Sequence, residues 1–394
     1  MAKDYSIGDR LEVRIEKIVP RGLGLAFAEG LTVFVPLAAV GDVLAVRITE
    51  IKGKTAFAGI ESIVTPSPDR IAPPCEYFGA CGGCDFQQMD YAAQLAAKVG
   101  IIRDCLHRIA KIDYGKEISI IPSPAELGYR LRAQWHTNTA SKKIGYYRRD
   151  SRDLVDIERC IILAPELQNK LTELRSSLPW ETLSGEKTQI DAACGRDGGV
   201  SVYSPELIGP MNEIEVSAFD EKFIFSARSF FQGNHFLLDK LVETAIGDAR
   251  GKNALDLYCG VGFFTLPLAR RFENVIGVEE NENAIDFAIR NAANASLTNV
   301  EFRAESVRRY LSNVVASDLD LVLLDPPRVG TEKETMLNLI RLAPKRVSYV
   351  ACEPSVLARD LRRFADSGYE IESITALDMF PQTHHVETVV RLYQ

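Results

Sequence analysis

The order of elements in the C-terminal part restricts the fold more than any other feature of the chain. NALDLYCGVGFFTLPLA (residues 253–269) reads as an apolar strand, a glycine turn and a helix, and NVIGVEE (274–280) follows as a second strand. Strands alternating with helices imply a parallel sheet covered on both faces, so residues 231–394 are expected to form a doubly wound α/β domain. Gly260 and Gly262 let the backbone approach a ligand, while Thr265 stands where a dinucleotide fingerprint wants a small residue. Glu279 ends the second strand, nineteen residues beyond Gly260, where a carboxylate can accept both hydroxyls of a ribose. DLDLVLLDPPR (318–328) then brings Asp325 to the carboxyl end of a later strand, where ligands of open α/β sheets collect.

A second constraint is chemical. In RVSYVACEPSVLARDL (346–361) an alternating strand gives way to helical spacing, and Cys352 stands at the joint. Pro354 suits a first helical position, which puts the thiol near unsatisfied N–H groups and the positive end of a helix dipole. That environment is expected to lower its pKa and favour the thiolate, the nucleophilic form.

The other cysteines divide into two sets. Cys75, Cys81 and Cys84 form C-x5-C-x2-C within PPCEYFGACGGCDFQQ, and Cys160 can return as a fourth ligand. Four thiolates suit tetrahedral zinc or an iron–sulfur cluster, and spacing alone leaves the two open. Cys105, Cys194 and Cys259 have no such company and read as packing residues.

Upstream, residues 1–62 carry short alternating strands with glycine and proline punctuation, five in our reading, as in an OB-like barrel. TPSPDRIAPP reads as a linker and residues 88–112 as one long amphipathic helix. In the mixed α+β stretch that follows, Arg130, Arg132, Lys142, Lys143, Arg148, Arg149 and Arg152 are interleaved with Tyr129, Trp135, Tyr146 and Tyr147. Cations that hold phosphates beside aromatics that stack bases are what RNA binding needs. The formal charge of −8 excludes indiscriminate nucleic-acid binding but not a local basic face. With 46% hydrophobic and 25% charged residues, no apolar window of membrane-spanning length and no signal-peptide core, the chain is expected to be cytoplasmic, with no membrane contact and no obligate protein partner.

FFQGN (230–234), LDLYCGVGFFTLPLA, LLDPPR, CEPSVLARDL and DMFPQTHHVETVVRL (378–392) resemble, in that order, the motifs of the RNA uracil-5-methyltransferase family. The N-terminal barrel and four cysteines resemble its 23S rRNA branch, with a TRAM domain and a [4Fe-4S] cluster. The resemblance implies three parts: a TRAM barrel at 1–62; a central α+β iron–sulfur and RNA-contacting domain at 66–87 and 114–230; and a Rossmann-like class I methyltransferase domain at 88–113 and 231–394. It implies S-adenosyl-L-methionine as methyl donor and RNA as substrate, 23S rRNA ahead of tRNA.

Uracil C5 is a poor nucleophile until a thiolate adds to C6, and a base must later remove the C5 proton. The family's roles fall on Cys352 as nucleophile and Glu387 as base. Gln232, Tyr258, Gly260, Glu279 and Asp325 are expected around the cofactor, with Gln232 on the base or its enolate oxygen and Asp325 at the uracil edge. Phe263 is expected to line that pocket, while His384 and His385 could meet phosphate or pack. The chain departs from the family's Cys-Asn-Pro in having Glu353, whose carboxylate we expect to face solvent. An RNA cytosine-5-methyltransferase usually has a second cysteine in the fourth-strand motif, and DPPR has none. An amino-methyltransferase would leave Glu387 without a task. An inactive iron–sulfur RNA-binding regulator would not need intact glycines, Asp325, Cys352 and Glu387.

Overall fold

The computed structural model describes residues 5–28, 30–181, 183, 188–196, 198–207, 211–314 and 318–394. The N-terminal strands are β1 (Arg10–Arg14), β2 (Lys17–Val19), β3 (Leu23–Ala28), β4 (Leu31–Pro36), β5 (Val43–Lys52) and β6 (Thr55–Thr65), ordered β1-β5-β6-β4-β3-β2. There are six strands here, one more than expected, because the segment after β1 contributes the separate short strand β2. Alternation fills the interior: Leu11 and Val13 point in while Arg10, Glu12 and Arg14 point out. The proline-containing linker is not free. Buried Asp42 accepts from the backbone of Ala39 and Ser67 and from the Arg70 guanidinium, which ties the linker to the barrel.

Helix α1 (Tyr91–Cys105) is capped by Asp90, whose side chain accepts from Ala93 N, and continues through a wider turn at Leu106–Ala110. It differs from the amphipathic helix expected, because it is covered on two sides. Ile101 and Cys105 join the barrel core, whereas Ile102 and Leu106 join the core of the C-terminal sheet. Strand β7 (Ser119–Ile121) follows and pairs with that sheet's edge, although it lies in the stretch assigned to the central domain.

The central part is an antiparallel sheet of β8 (Arg132–Asn138), β9 (Lys143–Tyr147), β10 (Leu154–Asp156), β11 (Gln189–Cys194) and β12 (Val200–Tyr203), ordered β10-β9-β8-β11-β12. Helix α2 (Pro165–Ser177) buries Leu167, Leu171 and Leu174 in the same core cluster as its strands. The hairpin β13 (Ile214–Ala218) and β14 (Glu221–Phe225) is tied to the C-terminal domain: Asn291 accepts from Ile224 N and donates to its carbonyl.

The last domain runs α3 (Leu238–Ile246), β15 (Gly251–Leu257), α4 (Thr265–Ala269), β16 (Phe272–Glu279), α5 (Glu282–Asn294), β17 (Val300–Ala304), α6 (Val307–Asn313), β18 (Leu321–Leu324), α7 (Lys333–Arg341), β19 (Arg346–Ala351), α8 (Pro354–Asp366), β20 (Glu370–Leu377) and β21 (Glu387–Tyr393). Its sheet is ordered β17-β16-β15-β18-β19-β21-β20-β7. β17 to β19 run parallel and β21 runs antiparallel between β19 and β20. This is the doubly wound class I methyltransferase architecture expected. The order reverses beside β15, so a crevice opens beyond the carboxyl ends of β15, β16 and β18. Among the described residues no helix is long and apolar enough to cross a membrane.

Candidate active site and cysteine centre

Beyond β15 the chain turns through left-handed backbone at Tyr258 (φ 64°), Gly260 (φ 53°) and Gly262 (φ 91°). A Cβ on Gly262 would stand 2.8 Å from Leu266 Cδ1, so the turn is close-packed as well as left-handed. Glu279 meets this turn: its Oε2 accepts from Gly260 N at 3.2 Å and its Oε1 from Asn281 N at 2.9 Å. Tyr258, Gly260 and Glu279 therefore share one end of the crevice. Phe263 does not line it openly. It is buried in an aromatic cluster with Phe223, Phe231 and Phe264, so its role is packing. Asp256 went unnoticed in the sequence. It is fully buried on β15, accepts from Thr265 Oγ1 at 2.5 Å, and burial pushes its pKa up to about 8.

On the far side of the crevice, strand register assembles the reactive groups. Leu324 pairs with Tyr349, and Ala351 pairs with Thr388. Asp325 follows Leu324, Cys352 follows Ala351 and Glu387 precedes Thr388 in an antiparallel strand, so all three stand at the same end of three adjacent strands. Gln232 Nε2 donates to Asp325 Oδ2 at 3.0 Å, which joins the FFQGN segment to the fourth-strand motif. Glu387 is buried and its Oε1 has no hydrogen-bond partner. Burial first, and then Asp325, hold the Glu387 carboxyl well above the usual range, and burial pushes Asp325 up to about 7.

The Cys352 thiol reverses an expectation. Its pKa is pushed up to about 12, by burial first, then by Glu387, Asp325 and Glu353, with Arg328 opposing. Glu353 is the helix N-cap, so Cys352 sits one residue outside it, too far for the helix end to outweigh apolar surroundings and nearby carboxylates. Arg328, exposed directly after Asp325-Pro326-Pro327, is the cation that opposes the raised pKa of both Cys352 and Glu387. It was legible only as the last letter of DPPR.

Glu353 does not simply face solvent. It is half-buried, accepts from Ser355 Oγ at 2.8 Å, and lies beside His384 and His385. The centres of those two rings lie 4.1 Å apart, with the planes tilted by 38°. His384 Nδ1 meets Asp85 Oδ2 at 2.5 Å, and burial pushes His385 down to about 2.

Cys75, Cys81, Cys84 and Cys160 are free thiols lining one groove, and Cys105, Cys194 and Cys259 are buried in the core as expected. Burial raises the pKa of Cys81 and Cys160 and pushes Cys84 up to about 12, with neighbouring cysteine sulfurs adding to each. The chain packs tightly around them. A Cβ on Gly82 would lie 3.1 Å from Tyr147 O, and Gly83 N donates to Cys81 Sγ at 3.4 Å. Tetrahedral zinc with Zn–S of about 2.3 Å would hold sulfurs about 3.8 Å apart. Four thiolates on one groove suit either such a zinc or an iron–sulfur cluster.

The groove, of about 630 Å³, runs from Arg21 of the barrel past the four cysteines, Arg148 and Arg159 to Arg328 and the histidine pair. It corrects the reading of the central aromatics. Tyr129 and Trp135 are fully buried, so these two rings are core and do not offer stacking faces, whereas Tyr146, whose hydroxyl accepts from Trp135 Nε1 at 3.1 Å, is half-buried and lines the groove. Tyr147, stacked on His136 at 3.9 Å, remains on the groove wall.

Comparison with known proteins agrees with this geometry. Residues 211–394 match the tRNA (Uracil-5-)-methyltransferase family and residues 5–60 the TRAM domain. A 23S rRNA (uracil(1939)-C(5))-methyltransferase from Pectobacterium atrosepticum is 32% identical, over 96% of this chain and 92% of its own. An uncharacterised RNA methyltransferase from Thermosynechococcus vestitus is 30% identical over 98% of both. Among solved structures, Pyrococcus abyssi tRNA (uracil-54, C5)-methyltransferase in complex with S-adenosyl-L-homocysteine superposes with a TM-score of 0.75 at 27% identity, over 97% of this chain and 99% of its own.

Proposed function

We propose that this chain, which belongs to the RNA uracil-5-methyltransferase family, methylates a uridine of 23S rRNA through a covalent bond between Cys352 Sγ and uracil C6. The observation that carries the reading is the β19–β21 register, which sets Cys352 beside the buried carboxyl of Glu387. The thiolate adds to C6 and the electrons move to the C4 oxygen as an enolate. C5 then takes the methyl group from the sulfonium of S-adenosylmethionine, leaving S-adenosylhomocysteine. Glu387 removes the C5 proton, and β-elimination restores the thiolate and the C5–C6 double bond.

The other residues hold the reactants. Glu279, at the end of β16, would accept the ribose hydroxyls of the cofactor, exchanging its contacts to Gly260 N and Asn281 N. Tyr258 and Gly260 shape the same wall. Asp325, bonded to Gln232, would fix the uracil edge, and Gln232 would reach the enolate oxygen. Arg328 is placed to stabilise negative charge on the substrate.

Cys75, Cys81, Cys84 and Cys160 would hold a [4Fe-4S] cluster, and their thiolates would then tie the loop around Cys81 to the segment at Cys160. The gathering of four thiolates on one groove supports that reading, as does the resemblance to the family's 23S rRNA branch. Substrate choice follows the curated relative that acts on 23S rRNA and shares 32% identity. The solved tRNA enzyme makes tRNA the second reading.

The test separates the two catalytic groups. Glu387→Gln incubated with RNA and methyl-labelled cofactor is expected to accumulate a denaturant-resistant protein–RNA adduct carrying label, and Cys352→Ala to give neither adduct nor methylated RNA. Normal turnover by Glu387→Gln, or any methylation by Cys352→Ala, overturns the mechanism. Mapping 5-methyluridine in 23S rRNA and tRNA from a deletion strain decides the substrate.

A further inference from the structure

Where the groove meets the catalytic strands lies a group of side chains that methyl transfer does not use. Glu353, His384 and His385 each bring one ligand atom to within 4.8 Å of the other two. His384 Nδ1 is engaged by Asp85 Oδ2 at 2.5 Å, and His384 N donates to Asp85 Oδ1 at 3.1 Å. A ring held this way presents its remaining nitrogen as a lone-pair donor, the arrangement by which carboxylates orient metal-binding imidazoles. His385 Nδ1 is buried with no hydrogen-bond partner. Glu353 Oε1 accepts from Ser355 Oγ, and its carboxylate supplies the negative charge that the family's asparagine at this place lacks.

Two imidazole nitrogens and one carboxylate oxygen suit a divalent first-row transition ion with coordination positions left for water or substrate. We propose that Glu353, His384 and His385 bind one such ion, with Asp85 orienting His384 from behind. This site is separate from the four cysteines, since it offers no sulfur. It joins the residue after Cys352 to the loop that leads into Glu387, and so ties the nucleophile's strand to the base's strand.

The experiment uses the cluster-loaded protein, so that the four cysteines are occupied, and Zn2+ alone as probe. Equilibrium dialysis is expected to show one zinc per chain, with zinc-edge X-ray absorption showing nitrogen and oxygen neighbours and no sulfur. Glu353→Gln and His384→Asn are expected to weaken binding at least about tenfold, and Asp85→Asn about 10- to 100-fold, the usual effect of removing an orienting carboxylate. Glu353→Gln keeps the side chain's size at a half-buried cap position, so it reports on ligation even if a histidine variant fails to fold. Sulfur neighbours, no bound zinc, or wild-type affinity in folded Glu353→Gln overturns the proposal.

Discussion

At the scale of single residues, burial raises the pKa of every acid of the reactive group. Cys352 is pushed up to about 12, Asp325 to about 7, and Glu387 well above the usual carboxyl range. Attack on C6 needs the thiolate, so the rate of adduct formation in Glu387→Gln is expected to rise about tenfold per pH unit between pH 6 and 8, as for loss of one proton below its pKa. A flat profile in rapid-quench assays would mean that another group has already taken the proton. Asp256 carries a stability consequence. Its folded pKa of about 8 is raised above the usual 3.8, so the folded state binds more protons between those values. Its stabilising share is full below the lower value and lost as pH rises through about 8. Wild-type protein should therefore lose more stability from pH 5 to pH 8.5 than Asp256→Asn does, measured by urea unfolding. Cys352 and Glu387 were legible because strand ends and motifs mark them. The direction of the thiol's shift was not, because it depends first on burial by segments far along the chain and then on the carboxylates of Glu387 and Asp325.

At the scale of elements, the segment from Asp378 to Val386 is where three parts of the molecule meet. Lys98 of α1 donates to Asp378 at 2.5 Å and to Phe380 O at 3.0 Å, both charged side chains being fully buried. Gln94 exchanges hydrogen bonds with Gln382, Tyr129 donates to Pro381 O, and Asp85 N and Phe86 N donate to Gln382 O. One helix, the segment leading into β8 and the cysteine loop thus fix the approach to Glu387. Lys98→Met leaves Asp378 buried and unpaired and should cost about 3–5 kcal/mol of stability, whereas adding Asp378→Leu should recover most of that loss. Equilibrium denaturation of the single and double variants checks it. The helical spacing of α1 was visible in sequence, but its covering on two sides was not, since alanine-rich faces read as neutral until a neighbour packs on them. In β8, Ala133, Trp135 and Thr137 are buried while Gln134 and His136 are not, an alternation that the reading of Trp135 as an RNA-stacking ring passed over.

At the scale of the whole molecule, a chain of formal charge −8 must bind RNA through a local field, and the groove concentrates its arginines. They do not act alike. Arg149 Nη2 donates to Cys84 O at 2.9 Å, and Arg149 N donates to Ala80 O, so this residue braces the cysteine loop. Arg21, Arg148 and Arg159 are exposed on the groove, from the barrel to the central sheet. Each phosphate contact contributes about 0.7 to 0.9 to the slope of log affinity against log salt. Replacing Arg21, Arg148 and Arg159 together by alanine should flatten that slope by about two to three while leaving S-adenosylmethionine affinity unchanged. Arg149→Ala should instead lower the iron content of purified protein, because it loosens the loop that carries three of the four cysteines. Filter binding across a salt series, cofactor titration and iron analysis on the same preparations separate the two outcomes. A slope unchanged in the triple variant would move the RNA path off this groove and leave the cysteine loop as a brace for the Asp378–Val386 segment alone.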